Sequence, residues 1–283
     1  MTIQAFEIFG GYGEMILKEQ DKSMTEFQTV TYKTRNQVAM ISLNRPEALN
    51  SFNTQLRLDL LAAIEYANND DKARIVVITG EGRSFSAGHD LASGIGNHDT
   101  IEDTILKEYM PWMEAIDGSD KLYIAAINGA AAGIGASLAM MCDLSVMADD
   151  GYMYFAFAAI GLVVDGGASY YLVRRLGYQK AVELVMGAEK IPAVNCLSLG
   201  LVNKVVPASD LSDRALQWAE KLAESAPLAQ KYNKQLLKAA MESDLKSMFA
   251  MEAEKQKFAS ATDDFKIATE AFFKKTKPKF TGQ

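Results

Sequence analysis

Residues 122–143 read Leu122-Tyr123-Ile124-Ala125-Ala126-Ile127-Asn128-Gly129-Ala130-Ala131-Ala132-Gly133-Ile134-Gly135-Ala136-Ser137-Leu138-Ala139-Met140-Met141-Cys142-Asp143, and what this stretch becomes decides the fold. From Ile124 to Met141 only Asn128 and Ser137 are polar, so a membrane helix is the first reading to weigh. Three glycines, seven alanines and an Asn128-Gly129 turn signal in its midst argue for a strand entering a buried helix instead. Outward from there, strands and helices alternate. Gln37–Leu43 is a strand running into the turn-like Asn44-Arg45-Pro46. Thr54–Asn69 carries Leu56, Leu60, Ala63, Ile64 and Ala67 at helical spacing, with Asn53 as its cap. Arg74–Thr79 is a buried strand stopping at Gly80, and Leu122–Ile127, Leu144–Met147 and Leu201–Val206 are further strands. From Ala208 the pattern is all helical, over 211–225, 228–240, 244–259 and 263–273. The expectation is an α/β core over 24–207 followed by a C-terminal helical module over 208–283, with residues 1–23 an extension ahead of Met24.

The chain has 283 residues, 49% hydrophobic and 23% charged, the mixture of a globular protein. Lysine and arginine total 29 against 36 acidic residues, a net charge of −7 that argues against a general nucleic-acid binder. Two cysteines, Cys142 and Cys196, both in apolar stretches, make no disulfide framework and fit a reduced, intracellular, cytoplasmic setting. Two histidines, His89 and His98, are too few for a metal site built on several imidazoles, so no metal is expected. The first 17 residues hold no lysine or arginine, so no secretory or transit peptide is expected, and no membrane association either.

Three loops carry candidate chemistry, and each has a plain structural explanation. Gly80 to Leu91 follows a buried strand, and small residues there let backbone approach a ligand; an ordinary surface turn fits its glycines equally well. Ser84-x-Ser86-x-Gly88 lacks the first glycine of a serine-hydrolase elbow. The turn Gly133-Ile134-Gly135 opens an apolar helix and presents unpaired N–H groups; a tight helix crossing explains it as well, and Leu138 breaks the dinucleotide fingerprint. Asp165, directly after the apolar run 160–164 and before Gly166-Gly167, is either a helix N-cap or a carboxylate made useful by its apolar surroundings.

In combination and order, these segments resemble the crotonase superfamily, also called the enoyl-CoA hydratase/isomerase family. The resemblance covers roughly Phe27 to Gly282. It rests on Leu43-Asn44-Arg45-Pro46-Glu47-Ala48-Leu49-Asn50-Ser51, on Ser86-Ala87-Gly88-His89-Asp90-Leu91, on Ile127-Asn128-Gly129 leading to Ala139-Met140-Met141-Cys142-Asp143, and on the ending Lys277-Pro278-Lys279-Phe280-Thr281-Gly282. It implies a spiral of ββα units, C-terminal helices that build a homotrimer or hexamer, and an acyl-CoA thioester substrate with no separate cofactor. It further implies that the thioester carbonyl sits between the backbone N–H groups of His89 and Ile134. Ala87, Asp90 and Leu91 would border the CoA channel, and Lys279 and Phe280 its adenine end. Arg45, Ala48, Ser86, Gly88, Gly133, Gly135 and Ser137 are carried over as substrate-binding positions.

The two glutamates of hydratases in this family would fall at Ser137 and at Phe157 or Ala158, none of which ionises as a carboxylate. Asp165 instead is similar to the carboxylate of Δ3,Δ2-enoyl-CoA isomerases, and Gly161–Gly167 looks closest to 1,2-epoxyphenylacetyl-CoA isomerase. An isomerase is therefore favoured over a hydratase or a ring-epoxide reaction. An NAD-dependent dehydrogenase and a non-catalytic, RNA-associated relative are the other classes; Lys231, Lys234 and Lys238 on helix 228–240 are what keeps the last in view. Residues 92–120, with Tyr109, Met110, Trp112 and Met113, are expected to wall the acyl pocket. Glu102 and Asp103 there are the reserve bases.

Overall fold

A computed structural model describes residues 27–94 and 98–283, so the expected extension 1–23 and the core start at Met24 lie outside the described residues. β1 (Val30–Arg35) and β2 (Val38–Leu43) form an antiparallel pair. Next comes α1 (Thr54–Asn69), whose first turn is capped by the Asn53 side chain accepting from Leu56 N at 2.9 Å.

From there one unit recurs. β3 (Ile75–Gly80) enters one sheet and β4 (Ser84–Ser86) a second; β5 (Leu122–Ile127) with β6 (Ala130–Ala132), and β7 (Leu144–Ala148) with β8 (Tyr152–Tyr154), do the same. Helices complete each turn. α2 (Ile101–Thr104) runs through a π-turn (Ile105–Tyr109) into α3 (Met110–Asp117); α4 (Ile134–Met141) follows β6; α5 (Ala168–Leu176) and α6 (Tyr178–Gly187) follow β8. β9 (Lys190–Pro192), α7 (Ala193–Ser198) and β10 (Lys204–Val206) end the spiral. The six-stranded sheet has the order β1-β2-β3-β5-β7-β10, parallel from β2 onward. The other sheet runs β4-β6-β8-β9, with only β9 antiparallel.

The large sheet is buried on both faces, which is why its strands read as unbroken apolar runs. In β3, Val76 and Ile78 face the main core, while Ile75 and Val77 face a second cluster with Leu211, Ala215, Ala219 and Ala223. Those four belong to α8 (Leu211–Ala223), so the helical tail begins with a helix that closes the sheet. α9 (Pro227–Ala239), α10 (Leu245–Ser260) and α11 (Asp263–Lys274) follow.

Two expectations need correction. Between the strand and the helix stands a second short strand that was not expected, Ala130–Ala132 of the second sheet, and the strand expected from Leu201 begins only at Lys204. Leu201 and Val202 are buried core residues, so their apolar character reports packing rather than a strand. Among the described residues no helix is long and apolar enough to cross a membrane.

Candidate active site

The loops expected to carry chemistry all leave the carboxyl ends of neighbouring parallel strands in the small sheet. His89 follows β4, Ile134 follows β6, and Asp165 follows β8. Such strand ends are where open parallel sheets present ligands.

His89 forms an isolated parallel bridge with Phe52. Phe52 N donates to Gly88 O at 2.8 Å and Phe52 O accepts from Asp90 N at 3.1 Å, which turns the intervening His89 N–H away from Phe52. Ile134 is the first residue of α4, where a helix leaves its N–H groups unsatisfied and its dipole positive. Neither amide has a hydrogen-bond partner among the described residues. Glycine lets the two turns touch: Gly88 has φ +95°, and a Cβ there would lie 2.8 Å from the Ala132 carbonyl and 3.6 Å from Gly133 Cα. The phenyl edge of Phe157 packs over Gly133.

The Asp165–Gly167 turn docks on the same helix end. Gly166 has φ +60°, and a Cβ on it would overlap Ile134 Cδ1 and approach Ser137 Cβ to 2.8 Å. Ser137 Oγ donates to the Asp165 main-chain carbonyl at 3.0 Å, and its alternative acceptor, Gly133 O, is 3.4 Å away. The Ser137 hydroxyl therefore holds the aspartate loop. Asp165 is not a cap: Gly167 occupies the N-cap position of α5, no side chain caps that helix, and Oδ1 of Asp165 is buried with no hydrogen-bond partner among the described residues. Burial without a compensating donor pushes its pKa up to about 6. A carboxylate there is poised to take and return a proton near neutral pH.

Beside it lies a buried polar chain. Arg57, fully buried on α1, pairs with Glu108 at 2.5 Å, and Glu108 also meets His98 Nε2 at 2.8 Å. Arg57 Nη1 reaches the Tyr109 hydroxyl at 3.4 Å, and that hydroxyl is 2.8 Å from His89 Nδ1. His89 Nε2 is 2.8 Å from the Gly94 carbonyl. Because a carbonyl only accepts, Nε2 carries the proton and neutral Nδ1 accepts from Tyr109. Burial lowers the His89 pKa and raises that of Tyr109, keeping both neutral.

Other expected site residues are brought close but are already engaged. Arg45 and Asp90 form an ion pair at 3.0 Å, which holds the Asp90 carboxyl below its usual range despite partial burial. Ser86 Oγ donates to Asn50 O at 2.8 Å and accepts from Gly88 N at 3.1 Å, so it organises the loop from within the core. Gly135 leaves room for Ser86, since a Cβ would come 2.7 Å from Ser86 Cβ. Ala48 is half-buried in the short helix Pro46–Ala48, while Ala87 and Leu91 are exposed at the loop rim. Of the expected pocket wall, Tyr109 and Trp112 are buried, Met113 is half-buried against Gly166, and Met110 is exposed.

Lys279 and Phe280 are not brought to this chain's own site. Arg74 holds the Phe280 carbonyl at 2.9 Å, and Asp264 takes the amides of Thr281 and Gly282. Arg74 precedes β3, whereas the candidate site lies beyond the other end of the strands. The lysine stripe is neutralised too: Lys231 pairs with Asp120, Lys234 with Asp143 and Lys238 with Asp117. Of the reserve bases, Asp103 pairs with Lys107, which keeps its pKa low, and Glu102 is exposed. A cavity of about 1170 Å³ between the core and α9 reaches the Asp165 turn only at Gly167 and contains none of His89, Ile134 or Asp165. Among the described residues no cluster of three His, Cys, Asp or Glu side chains is arranged to hold a metal.

The sequence pattern described as enoyl-CoA hydratase/isomerase matches residues 33–283. A Rhodobacter capsulatus protein named "Probable enoyl-CoA hydratase" is 34% identical, with 91% of this chain and 99% of that one aligned. The 1,2-epoxyphenylacetyl-CoA isomerase of Escherichia coli is 31% identical over 87% of this chain and 95% of its own length. Among solved structures, an enoyl-CoA hydratase from Polaromonas sp. JS666 superposes with a TM-score of 0.84 at 32% identity, covering 89% of this chain and 99% of that one. With its spiral of paired strands and its paired turns at the small sheet's edge, the chain belongs to the enoyl-CoA hydratase/isomerase family, the acyl-CoA-processing crotonase superfamily.

Proposed function

We propose that this protein is an enoyl-CoA isomerase that converts a 3-enoyl-CoA to a 2-enoyl-CoA with Asp165 as its acid and base. The observation that carries the reading is Asp165 Oδ1, buried and unpartnered, beside positions 137, 157 and 158 that supply no second carboxylate. The thioester carbonyl oxygen accepts from His89 N–H and Ile134 N–H. Asp165 takes a proton from C2, and the C–H electron pair forms the C2–C1 double bond of a dienolate whose charge rests on that oxygen. The electrons then return: the C1–O carbonyl reforms, C2=C3 forms, and the former C3=C4 pair takes the proton from Asp165 at C4. No water is consumed, so the apolar lining that raises the Asp165 pKa also keeps hydration from competing. Two preorganised amides aimed at developing charge contribute about 10²–10³ in rate per donor.

CoA enters as part of the substrate and no further cofactor is invoked. Large exposed apolar side chains on the C-terminal helices, among them Leu237, Leu245, Phe272 and Phe273, support assembly into a homotrimer or a hexamer. A cytoplasmic location accords with two buried free cysteines. A hydratase is the second reading, favoured by relatives such as the 2,3-dehydroadipyl-CoA hydratase of Escherichia coli at 33% identity. Incubation with 3-enoyl-, 2-enoyl- and ring-epoxide CoA thioesters, with products read by mass and ultraviolet absorbance, separates the readings. Isomerisation of the 3-enoyl-CoA without a mass change supports ours; a gain of one water on a 2-enoyl-CoA, or turnover of the ring epoxide in preference to the 3-enoyl-CoA, overturns it.

A further inference from the structure

We infer that Tyr109 is a positioning residue for the carbonyl site, holding the His89 imidazole so that the His89 main-chain N–H points at the substrate oxygen. The inference rests on the proposed use of that N–H and adds a residue that acts through His89. Among the described residues, the backbone hydrogen bonds that flank His89 directly are those of the Phe52 bridge, made by the peptide groups on either side of it. Its side chain supplies the other constraint. The ring is held at both nitrogens, by Tyr109 Oη at 2.8 Å and by Gly94 O at 2.8 Å.

Tyr109 is itself placed with unusual firmness. It ends a π-turn, a local irregularity that helices carry at a cost and often near functional sites. Its ring packs against Phe52 and Trp112 with centroids 6.0 and 6.2 Å away. Its hydroxyl faces Arg57, which is locked to Glu108 and to the Phe52 carbonyl. Phe52 thus bridges the His89 main chain and also receives the arginine that steadies Tyr109, so both constraints on His89 share one frame. The groups that act electrostatically on His89 are Arg57, Asp90 and Glu108, each already paired within the protein. A tether made of neutral hydrogen bonds inside a satisfied charge network gives orientation without adding charge to the site.

The probe is a CoA thioester of para-dimethylaminocinnamic acid, whose absorbance moves to longer wavelength as its carbonyl is polarised. Bound to the native protein it shifts red. Tyr109→Phe keeps the ring packing, leaves affinity within about threefold, shrinks the red shift and lowers isomerisation turnover by about tenfold, short of the 10²–10³ for a whole donor. His89→Ala keeps the amide but cuts the same tether, and gives a similar loss. In the His89→Ala background, Tyr109→Phe costs nothing more, because coupled residues are not additive. With two histidines in the chain, nitrogen NMR resolves His89: the native ring is the Nε2–H tautomer, and in Tyr109→Phe it samples both tautomers. An unchanged red shift in Tyr109→Phe, or an equal cost in both backgrounds, overturns the inference. No red shift in the native protein instead overturns the carbonyl site itself, and the two failures are thereby told apart.

Discussion

Ser137 Oγ donates a hydrogen bond to the main-chain carbonyl of Asp165 across 3.0 Å, joining the helix that offers the Ile134 N–H to the loop that offers the carboxylate. The Asp165 loop and the helix end at Ile134 are therefore one mechanical unit. The contact is close: a Cβ on Gly166 would come within 2.8 Å of Ser137 Cβ.

Ser137→Ala removes that bond and leaves the Asp165 carbonyl without its side-chain donor. Loss of one buried hydrogen bond costs about 1 kcal/mol in stability. Turnover falls by up to about 10²-fold, since small misplacements of a reacting group are costly. Affinity for acyl-CoA is retained. Denaturant melts and steady-state kinetics read both effects, and a native turnover would show that the loop holds itself in place.

Gly166→Ala tests the close docking of the turn. Alanine at φ +60° is strained, and its methyl overlaps Ile134 Cδ1. Left-handed strain and overpacking together cost about 2–5 kcal/mol, read as a lowered unfolding midpoint, with activity lost alongside.

The raised Asp165 pKa makes two linked statements about pH. The folded value of about 6 lies above the ordinary 3.8, so the native state holds this proton more tightly than the unfolded chain does. The stability it contributes is complete below about 4 and is lost as pH rises through about 6. At pH 8 the ionised carboxylate then costs up to about 3 kcal/mol. Asp165→Asn, which never ionises, is expected to be more stable than the native protein at pH 8, with the difference fading towards pH 4. Native turnover should rise with pH through about 6 as the base ionises. Unfolding midpoints at several pH values, and a pH–rate profile, check both.

Arg57→Met leaves the Glu108 carboxylate buried with His98 as its one remaining ionic partner among the described residues. Breaking a buried pair from one side costs about 3–5 kcal/mol. Urea unfolding of the variant reads that loss directly, and a change below about 1 kcal/mol would place the pair in the class of weak ion pairs.

Much of the fold was legible because the long elements obey one period each. Thr54–Asn69 emerged with its Asn53 cap, and Leu122–Ile127 with both ends, since buried strands and amphipathic helices leave strong patterns. The small sheet left almost none. Ser84–Ser86 and Ala130–Ala132 are three residues long, too short for alternation, and the second is all alanine. Asp165 was narrowed to cap or acid–base group, and only the geometry of Gly167 removed the cap. The Tyr109–His89 bond joins residues 20 apart across a π-turn, which no spacing rule anticipates. The lysine stripe on α9 looked like a basic face because Asp117, Asp120 and Asp143, which neutralise it, lie more than 90 positions away.

The central claim is that the Asp165 carboxylate moves the proton between C2 and C4. Asp165→Asn keeps the size of the side chain and leaves the His89 and Ile134 amides untouched, so acyl-CoA binding should persist. The measurement is the single-turnover rate of 3-enoyl-CoA to 2-enoyl-CoA by native and Asp165→Asn protein, with binding followed in parallel. The account predicts a fall of about 10²–10⁴ in rate with affinity retained. An Asp165→Asn protein that isomerises within a few-fold of the native rate would contradict it and reduce the aspartate to a structural role.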